Sequence, residues 1–140
     1  MPDHQMVDPQ EAAEVAAVNR LLADWAEAVQ GGDLEVITTL VTDDAEFWSN
    51  GAAPLMGREA LRAAFAGLFS RFRLEQRFDC FDLVVRGDLA FVRGMEHNTL
   101  DPLDGSPPVV RQQRAFSVMR RDPDGTWRFW RGMTNLPPQE

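Results

Sequence analysis

The sequence lacks two residue types that carry much of enzyme chemistry. It contains no lysine and no tyrosine, one cysteine, Cys80, and two histidines, His4 and His97. Without lysine there is no Schiff-base nucleophile, and without tyrosine there is no phenolic proton donor. A single cysteine excludes an internal disulfide and is typical of a reducing cytoplasm. All fourteen basic residues are arginines, which orient anions but are poor proton shuttles.

Long apolar runs are also missing. No segment offers the roughly 18 uninterrupted apolar residues that span a membrane, and the N-terminal run MPDHQMVDPQEAAE lacks the features of a secretory signal. The formal net charge of −8 disfavours a nucleic-acid partner. Two distant histidines and scattered acidic residues show no ligand spacing, so we predict no metal site and no cofactor. We expect a cytoplasmic protein without membrane or nucleic-acid partners.

Helix patterns fill the first half of the chain. Asp8 and Pro9 are typical of a helix start, and apolar residues at three- and four-residue spacing continue to the glycine pair that ends at Gly32. Asp33 can cap a second, shorter helix reaching residue 41, and Gly57 precedes a third helix.

The stretch DDAEFWSNG, which begins at Asp43, places three carboxylates beside two aromatic residues and raises the question of an acid/base centre. We interpret Asp43 and Asp44 as an exposed turn between the second helix and a short strand over residues 45–48. The stretch therefore predicts a turn that leads into a pocket wall.

Strand patterns fill the second half. Turn-forming residues separate four extended segments, at about 74–85, 89–99, 109–120 and 126–135. Consecutive strands with short connections pair antiparallel, and helices followed by strands are typical of an α+β fold. We predict one domain over residues 9–136, with a flexible N-terminus at 1–8 and a tail at 137–140.

This order of elements, with the run LVTDDA at Leu40, GREAL at Gly57 and DGTWR at Asp124, resembles the nuclear transport factor 2-like superfamily. Its SnoaL-like and ketosteroid-isomerase-like branches are closest, and the resemblance covers residues 9–136. It implies a conical barrel with a cystatin-like fold, in which a strongly curved, mainly antiparallel sheet and three helices enclose one apolar pocket. It also implies a homodimer formed through the outer face of the sheet.

The resemblance also marks where catalytic groups of the isomerase branch would lie. That branch has a catalytic Asp after the acidic pair, a Tyr on the first helix and a protonated Asp on a late strand, and the corresponding residues here are Ser49, Trp25 and Arg114. A Ser hydroxyl cannot abstract a carbon-bound proton unaided, so the ordinary isomerase mechanism is not supported. An arginine in the site instead suits an anion or a developing enolate.

His97 and Arg114 are therefore the predicted catalytic residues. His97 is the only histidine within the predicted fold, and regular alternation puts it on one strand face with Arg93 and Met95, which the resemblance turns toward the pocket. The alternative is a histidine with a structural hydrogen bond or one at the dimer interface.

Arg114 shares its predicted face with Gln112. A buried arginine needs a partner, so it either pairs with an acid such as Glu96 or Asp82 or binds an anionic ligand. A register slip of one residue would turn Arg111 and Gln113 inward instead.

The wall of the pocket is predicted from the residues near its mouth. We expect Trp48, Asn50, Met56 and Trp130 to contact a ligand together with Arg93, Met95 and Gln112. Core packing is the alternative for the tryptophans.

Two functions follow from these residues. The first is a cofactor-independent enzyme, of cyclase, isomerase, dehydratase or epoxide-opening type, acting on a small hydrophobic carbonyl or polyketide-like compound. The second is a non-catalytic module that binds a hydrophobic ligand or forms a dimer, because all three isomerase groups are replaced. A fold of this kind hosts many activities and does not decide between them.

Overall fold

The computed structural model describes residues 8–138, which form three helices and six strands. In chain order these are α1 (Pro9–Gly31), α2 (Leu34–Thr39), β1 (Val41–Trp48), β2 (Leu55–Met56), α3 (Arg58–Arg71), β3 (Phe72–Arg86), β4 (Leu89–Pro102), β5 (Val109–Arg121) and β6 (Trp127–Asn135). Most of the flexible N-terminus predicted at 1–8, and the last two residues of the predicted tail, lie outside the described residues.

The helix boundaries follow from their capping residues. The carboxylate of Asp8 accepts a hydrogen bond from the backbone N–H of Gln10 at 3.0 Å and starts α1. Gly32 ends α1 in the left-handed region at φ 64°, where a side chain would be strained. Asp33 then caps α2 through the backbone N–H of Val36 at 3.2 Å. These residues confirm the predicted start and end of α1 and the predicted start of α2, but α2 ends at Thr39 instead of residue 41 because β1 begins at Val41.

The six strands form one curled sheet in the order β2-β1-β6-β5-β4-β3. Neighbouring strands are antiparallel except β1 and β6, which run parallel. The predicted α+β fold, with a mainly antiparallel sheet and three helices, is confirmed.

The predicted turn at Asp43 and Asp44 is wrong. Strand β1 already begins at Val41, and both aspartates lie within it, where its pairing with β6 shifts register. The shift lets both carboxylates stay exposed while Val41 and Ala45 on either side are buried. Asp44 accepts hydrogen bonds from Arg120, which offset the low strand propensity of aspartate.

The core lies between the helices and the concave face of the sheet. Val18 of α1, Ile37 of α2 and Met119 of β5 are each fully buried. Burying a side chain of this size contributes about 1.5–3 kcal/mol to stability. These contacts hold α1 against the sheet. A cavity remains beside them, between the sheet and the helices α1 and α3.

Candidate active site

A cavity of about 410 Å³ lies between the concave face of the sheet and the helices α1 and α3. The helices supply apolar residues only: Leu22, Trp25, Ala26, Val29, Leu61, Ala64, Phe65 and Leu68. The Trp25 ring packs edge-on against Phe65 and Phe129, with ring centroids 5.5 and 5.1 Å apart. These aromatic contacts fix the helix side of the cavity as a rigid apolar wall.

The sheet supplies a polar patch on the opposite wall. Its members come from three neighbouring strands and are Gln76, Glu96, Asn98, Arg111 and Gln113. The pairing brings them together, since Gln76 lies opposite Asn98, Glu96 opposite Gln113, and Asn98 opposite Arg111. Because alternate strand residues share a face, these side chains all point into the cavity.

Three amide groups orient the carboxylate of Glu96. Its Oε1 accepts hydrogen bonds from Nε2 of Gln113 at 2.8 Å, Nδ2 of Asn98 at 3.1 Å and Nε2 of Gln76 at 3.5 Å. Gln76 Nε2 also donates to Oδ1 of Asn98 at 3.1 Å. Within residues 8–138, no donor contacts the second oxygen, Oε2. One oxygen is thus anchored, while the other can accept a proton from a bound molecule.

A glycine in β4 shapes the floor of the cavity. A Cβ atom at Gly94 would lie 2.1 Å from the carbonyl oxygen of Asp79 and 2.8 Å from Cζ of Phe78. The missing side chain lets the Phe78 ring lie over β4 and line the cavity beside Glu96. Gly132 makes similar room for Phe47, whose ring atom Cδ1 would lie 2.7 Å from an added Cβ.

His97 lies on the other face of β4, outside the cavity lining. Its Nδ1 accepts a hydrogen bond from Nε2 of Gln112 at 3.1 Å, so Nε2 carries the proton and donates to Oδ2 of Asp79 at 2.8 Å. The hydrogen bond from His97 holds the pKa of Asp79 below its ordinary value. The prediction that His97 faces the cavity is wrong. Its neighbours Glu96 and Asn98 face the cavity instead, because the inward positions of β4 are offset by one residue from the predicted ones.

Arg114 also lies outside the cavity lining. Its Nε donates to Oδ1 of Asn135 at 2.6 Å, and its Nη2 donates to the carbonyl oxygen of Leu136 at 3.4 Å. The alternative register holds instead, with Arg111 and Gln113 facing inward. The reason is that Ala115 and Met119 of β5 are buried and Ser117 between them lines the cavity.

The other residues predicted to contact a ligand divide between the cavity and the outer surface. Trp48 and Asn50 line the cavity. Arg93 is outside it and pairs with Asp82 at 3.3 Å. Met95 and Gln112 lie opposite Arg114 and His97 in the strand pairing and share their outer face.

Met56 and Trp130 are likewise absent from the cavity lining. Met56 is 61% exposed at the sheet edge. The Trp130 ring lies between two guanidinium groups, 4.3 Å from Arg131 and 5.4 Å from Arg120, and its N–H donates to Asp44 at 3.4 Å. A register shift between β5 and β6 places the indole in this charged cluster.

The described part of the chain offers neither a metal site nor a membrane-spanning helix. Residues 8–138 hold no group of three His, Cys, Asp or Glu side chains arranged to bind a metal ion. Among the helices of that range, none has the length and apolar character needed to cross a membrane.

The curled sheet, closed on its concave side by helices around a cavity, defines a class of small α+β pocket proteins. The chain belongs to the SnoaL-like domain family, whose pattern matches residues 22–130. It is similar to a conserved protein from Planctomyces limnophilus, with 29% identity over 89% of this chain and 96% of the other, at a TM-score of 0.79. The predicted SnoaL-like branch is thereby confirmed.

Two further structures share the fold. A ketosteroid isomerase-like protein from Erwinia carotovora atroseptica has 19% identity over 89% of this chain and 98% of its own, at a TM-score of 0.78. A nuclear transport factor 2-like protein with a cystatin-like fold from Novosphingobium aromaticivorans has 22% identity over 97% and 94%, at a TM-score of 0.75. A comparison with curated proteins gave no match.

Proposed function

We propose that the protein is a cofactor-independent enzyme that moves a proton on a small carbonyl compound with a largely apolar body. The observation that carries this proposal is the carboxylate of Glu96, anchored through Oε1 by three amide donors inside a cavity whose helix side is apolar. A positioned carboxylate facing an apolar aromatic wall suits proton abstraction from the carbon beside a carbonyl group. Glu96 is thus proposed as the group that transfers the proton, the role predicted from the sequence for His97.

The proposed proton transfer requires only the carbonyl compound and the Glu96 carboxylate. Glu96 Oε2 accepts the proton of the carbon next to the carbonyl, and the electron pair of that C–H bond forms the enolate. The carboxylic acid then returns the proton to the carbon skeleton, at the same or at a conjugated position. Isomerisation requires only these two steps, and an elimination or a ring closure can begin from the same enolate.

The experiment follows deuterium incorporation into β-tetralone in D₂O by proton NMR, after calorimetry has established that the ketone binds. We expect the wild type to exceed the buffer rate, and Glu96→Gln to lose about 100-fold or more of the enzymatic rate, since a positioned acid/base group contributes about 10²–10⁴-fold. The control is Glu59→Gln, on the exposed side of α3. A ketone that binds but exchanges at the buffer rate would contradict the proposal and favour a non-catalytic binding protein.

The outer face of the sheet supports a second copy of the chain as the partner. Trp48, Met133 and Phe116 are 49%, 48% and 45% exposed and lie side by side on β1, β6 and β5, and Trp48 and Met133 also reach the rim of the cavity. Phe91 of β4 extends this row by stacking on Phe116 at 5.4 Å. Contiguous exposed apolar rows of this kind mark interaction surfaces.

A homodimer through this row is tested by sedimentation. We expect wild-type protein to sediment as a dimer and Phe116→Arg as a monomer, since a charge introduced into the apolar row would have to be desolvated at the interface. The matched control is Phe81→Arg, at a more exposed aromatic residue, 64% exposed, in β3. A monomeric wild type at all concentrations would contradict the dimer.

A further inference from the structure

Arg111 stands apart from the other arginines of the described chain because it alone lines the cavity. Within residues 8–138 its guanidinium group makes no ion pair and no hydrogen bond. Other arginines of the same strands are engaged, since Arg93 pairs with Asp82 at 3.3 Å and Arg114 donates to Asn135 at 2.6 Å. Arg111 is itself exposed, so a permanent positive charge that the described residues do not neutralise lies at the open side of the cavity.

The position of this charge relative to Glu96 is set by the strand register. Arg111 lies opposite Asn98, and Gln113, two residues further along β5, lies opposite Glu96. Two residues along a strand span about 7 Å, so the guanidinium group and the carboxylate project from neighbouring inward positions. A single small molecule can reach both groups while its body remains against the apolar helix wall.

We infer that the ligand of this cavity is an apolar carbonyl compound that carries one carboxylate, bound by Arg111. This inference rests on the proposed function, since it places the acidic carbon of the same molecule at Glu96. The planar guanidinium fork matches the two oxygens of a carboxylate, and such charge-assisted pairs are short and strong.

The charges of the lining favour a single negative group over a doubly charged one. Arg111 is the only cation among the described lining residues, which also include the carboxylates of Glu75 and Glu96. One ligand carboxylate satisfies the arginine, whereas the second charge of a phosphate ester would face these carboxylates uncompensated. The apolar remainder of the molecule fits the wall around Trp25 and Phe65.

The test measures binding of two non-enolisable probes of equal size by calorimetry, β-naphthoate and its neutral amide, β-naphthamide. We expect the wild type to bind the naphthoate roughly 3- to 10-fold more tightly, since a charge-assisted contact at a solvent-exposed guanidinium group is partly screened. Arg111→Gln should reduce this ratio to about one, and Arg111→Lys should give an intermediate ratio because it retains the charge without the fork. Arg114→Gln is the control and should keep the wild-type ratio.

Equal affinity for the two probes, absence of binding by both, or the same loss of preference in Arg114→Gln would overturn the inference. The result is independent of the proton-transfer test. Exchange of neutral β-tetralone without any carboxylate preference would reject the Arg111 assignment alone. A carboxylate preference with bound β-tetralone exchanging at the buffer rate would reject the chemistry of Glu96 alone.

Discussion

Nε2 of Gln113 lies 2.8 Å from Oε1 of Glu96 and makes the shortest of the three hydrogen bonds that this oxygen accepts. The two residues are paired across β5 and β4. The contact connects the register of the sheet to the orientation of the carboxylate. A side chain that fixes the direction of a reactive group affects the rate more than it affects binding.

The first prediction concerns this positioning role. Gln113→Leu should lower the enzymatic exchange rate of β-tetralone about tenfold, since hydrogen bonds to charged groups contribute about 1.5–3 kcal/mol, part of which the two remaining amides retain. The dissociation constant of the ketone should change little. The matched control is Gln112→Leu, whose side chain contacts His97 on the outer face. Equal rate losses in both variants would argue for a general loss of stability.

The second prediction concerns Gly94. Gly94→Ala should lower the free energy of unfolding in urea by about 1–3 kcal/mol, since the added Cβ meets backbone at 2.1 Å and the Phe78 ring at 2.8 Å. The control is Gly67→Ala in α3, where an added Cβ meets nothing within 4 Å. This exposed helical glycine should instead gain about 0.5–1 kcal/mol on substitution. If Gly94→Ala and Gly67→Ala changed the free energy of unfolding equally, the close approach of Asp79 and Phe78 to Gly94 would be contradicted.

The third prediction concerns acid stability at the β5–β6 turn. The side chain of Arg128, with the backbone N–H of Thr126, lowers the pKa of Asp124 to about 2. The unfolded value is about 3.9, so this carboxylate stabilises the fold above that pH and loses its contribution as the pH falls to about 2. Asp124→Asn should therefore lower the unfolding free energy at pH 7 and match the wild type near pH 2. A difference that does not vary with pH would contradict this assignment.

The fourth prediction separates His97 from the cavity. His97→Ala should raise the pKa of Asp79 toward its ordinary value, because the hydrogen bond from His97 is the main cause of the lowered value. An NMR titration of the Asp79 carboxyl carbon measures this change. Arg77→Ala should also raise this pKa, since Arg77 lowers it through its charge and a hydrogen bond. In the same His97→Ala protein, the exchange rate of β-tetralone should remain within about twofold of wild type; a larger loss would return His97 to the site.

Apart from the two-residue strand β2, which has no alternating pattern of its own, the order of elements could be predicted from the sequence, but the faces of the strands could not. Capping residues and glycines mark helix ends locally, so Asp8, Gly32 and Asp33 were interpretable without tertiary information. The faces of β4 and β5 depend on which apolar residues are buried, and Phe116, which alternation places on the same face as Arg114, is 45% exposed. An outer face that is itself apolar makes both registers equally plausible from alternation alone.

Other residues could have indicated the correct register. Gly94 and Ala115 are paired and face inward, where the Phe78 ring leaves no room for larger side chains. The register shift in β3 between Cys80 and Asp82 has no local sequence pattern, because it adjusts the sheet to its partner strand. The parallel pairing of β1 with β6 is equally hidden, since it joins segments more than 80 residues apart.

The place of β6 between β1 and β5 has a consequence for synthesis on the ribosome. The last strand to be made is an inner one, so β1 and β2 have no neighbour on that side until residue 135 has emerged. During that interval the nascent chain presents the unpaired edges of β1 and β5. Chaperone binding should therefore be strongest before β6 emerges, and changes that slow translation there should increase aggregation more than the same changes within α1.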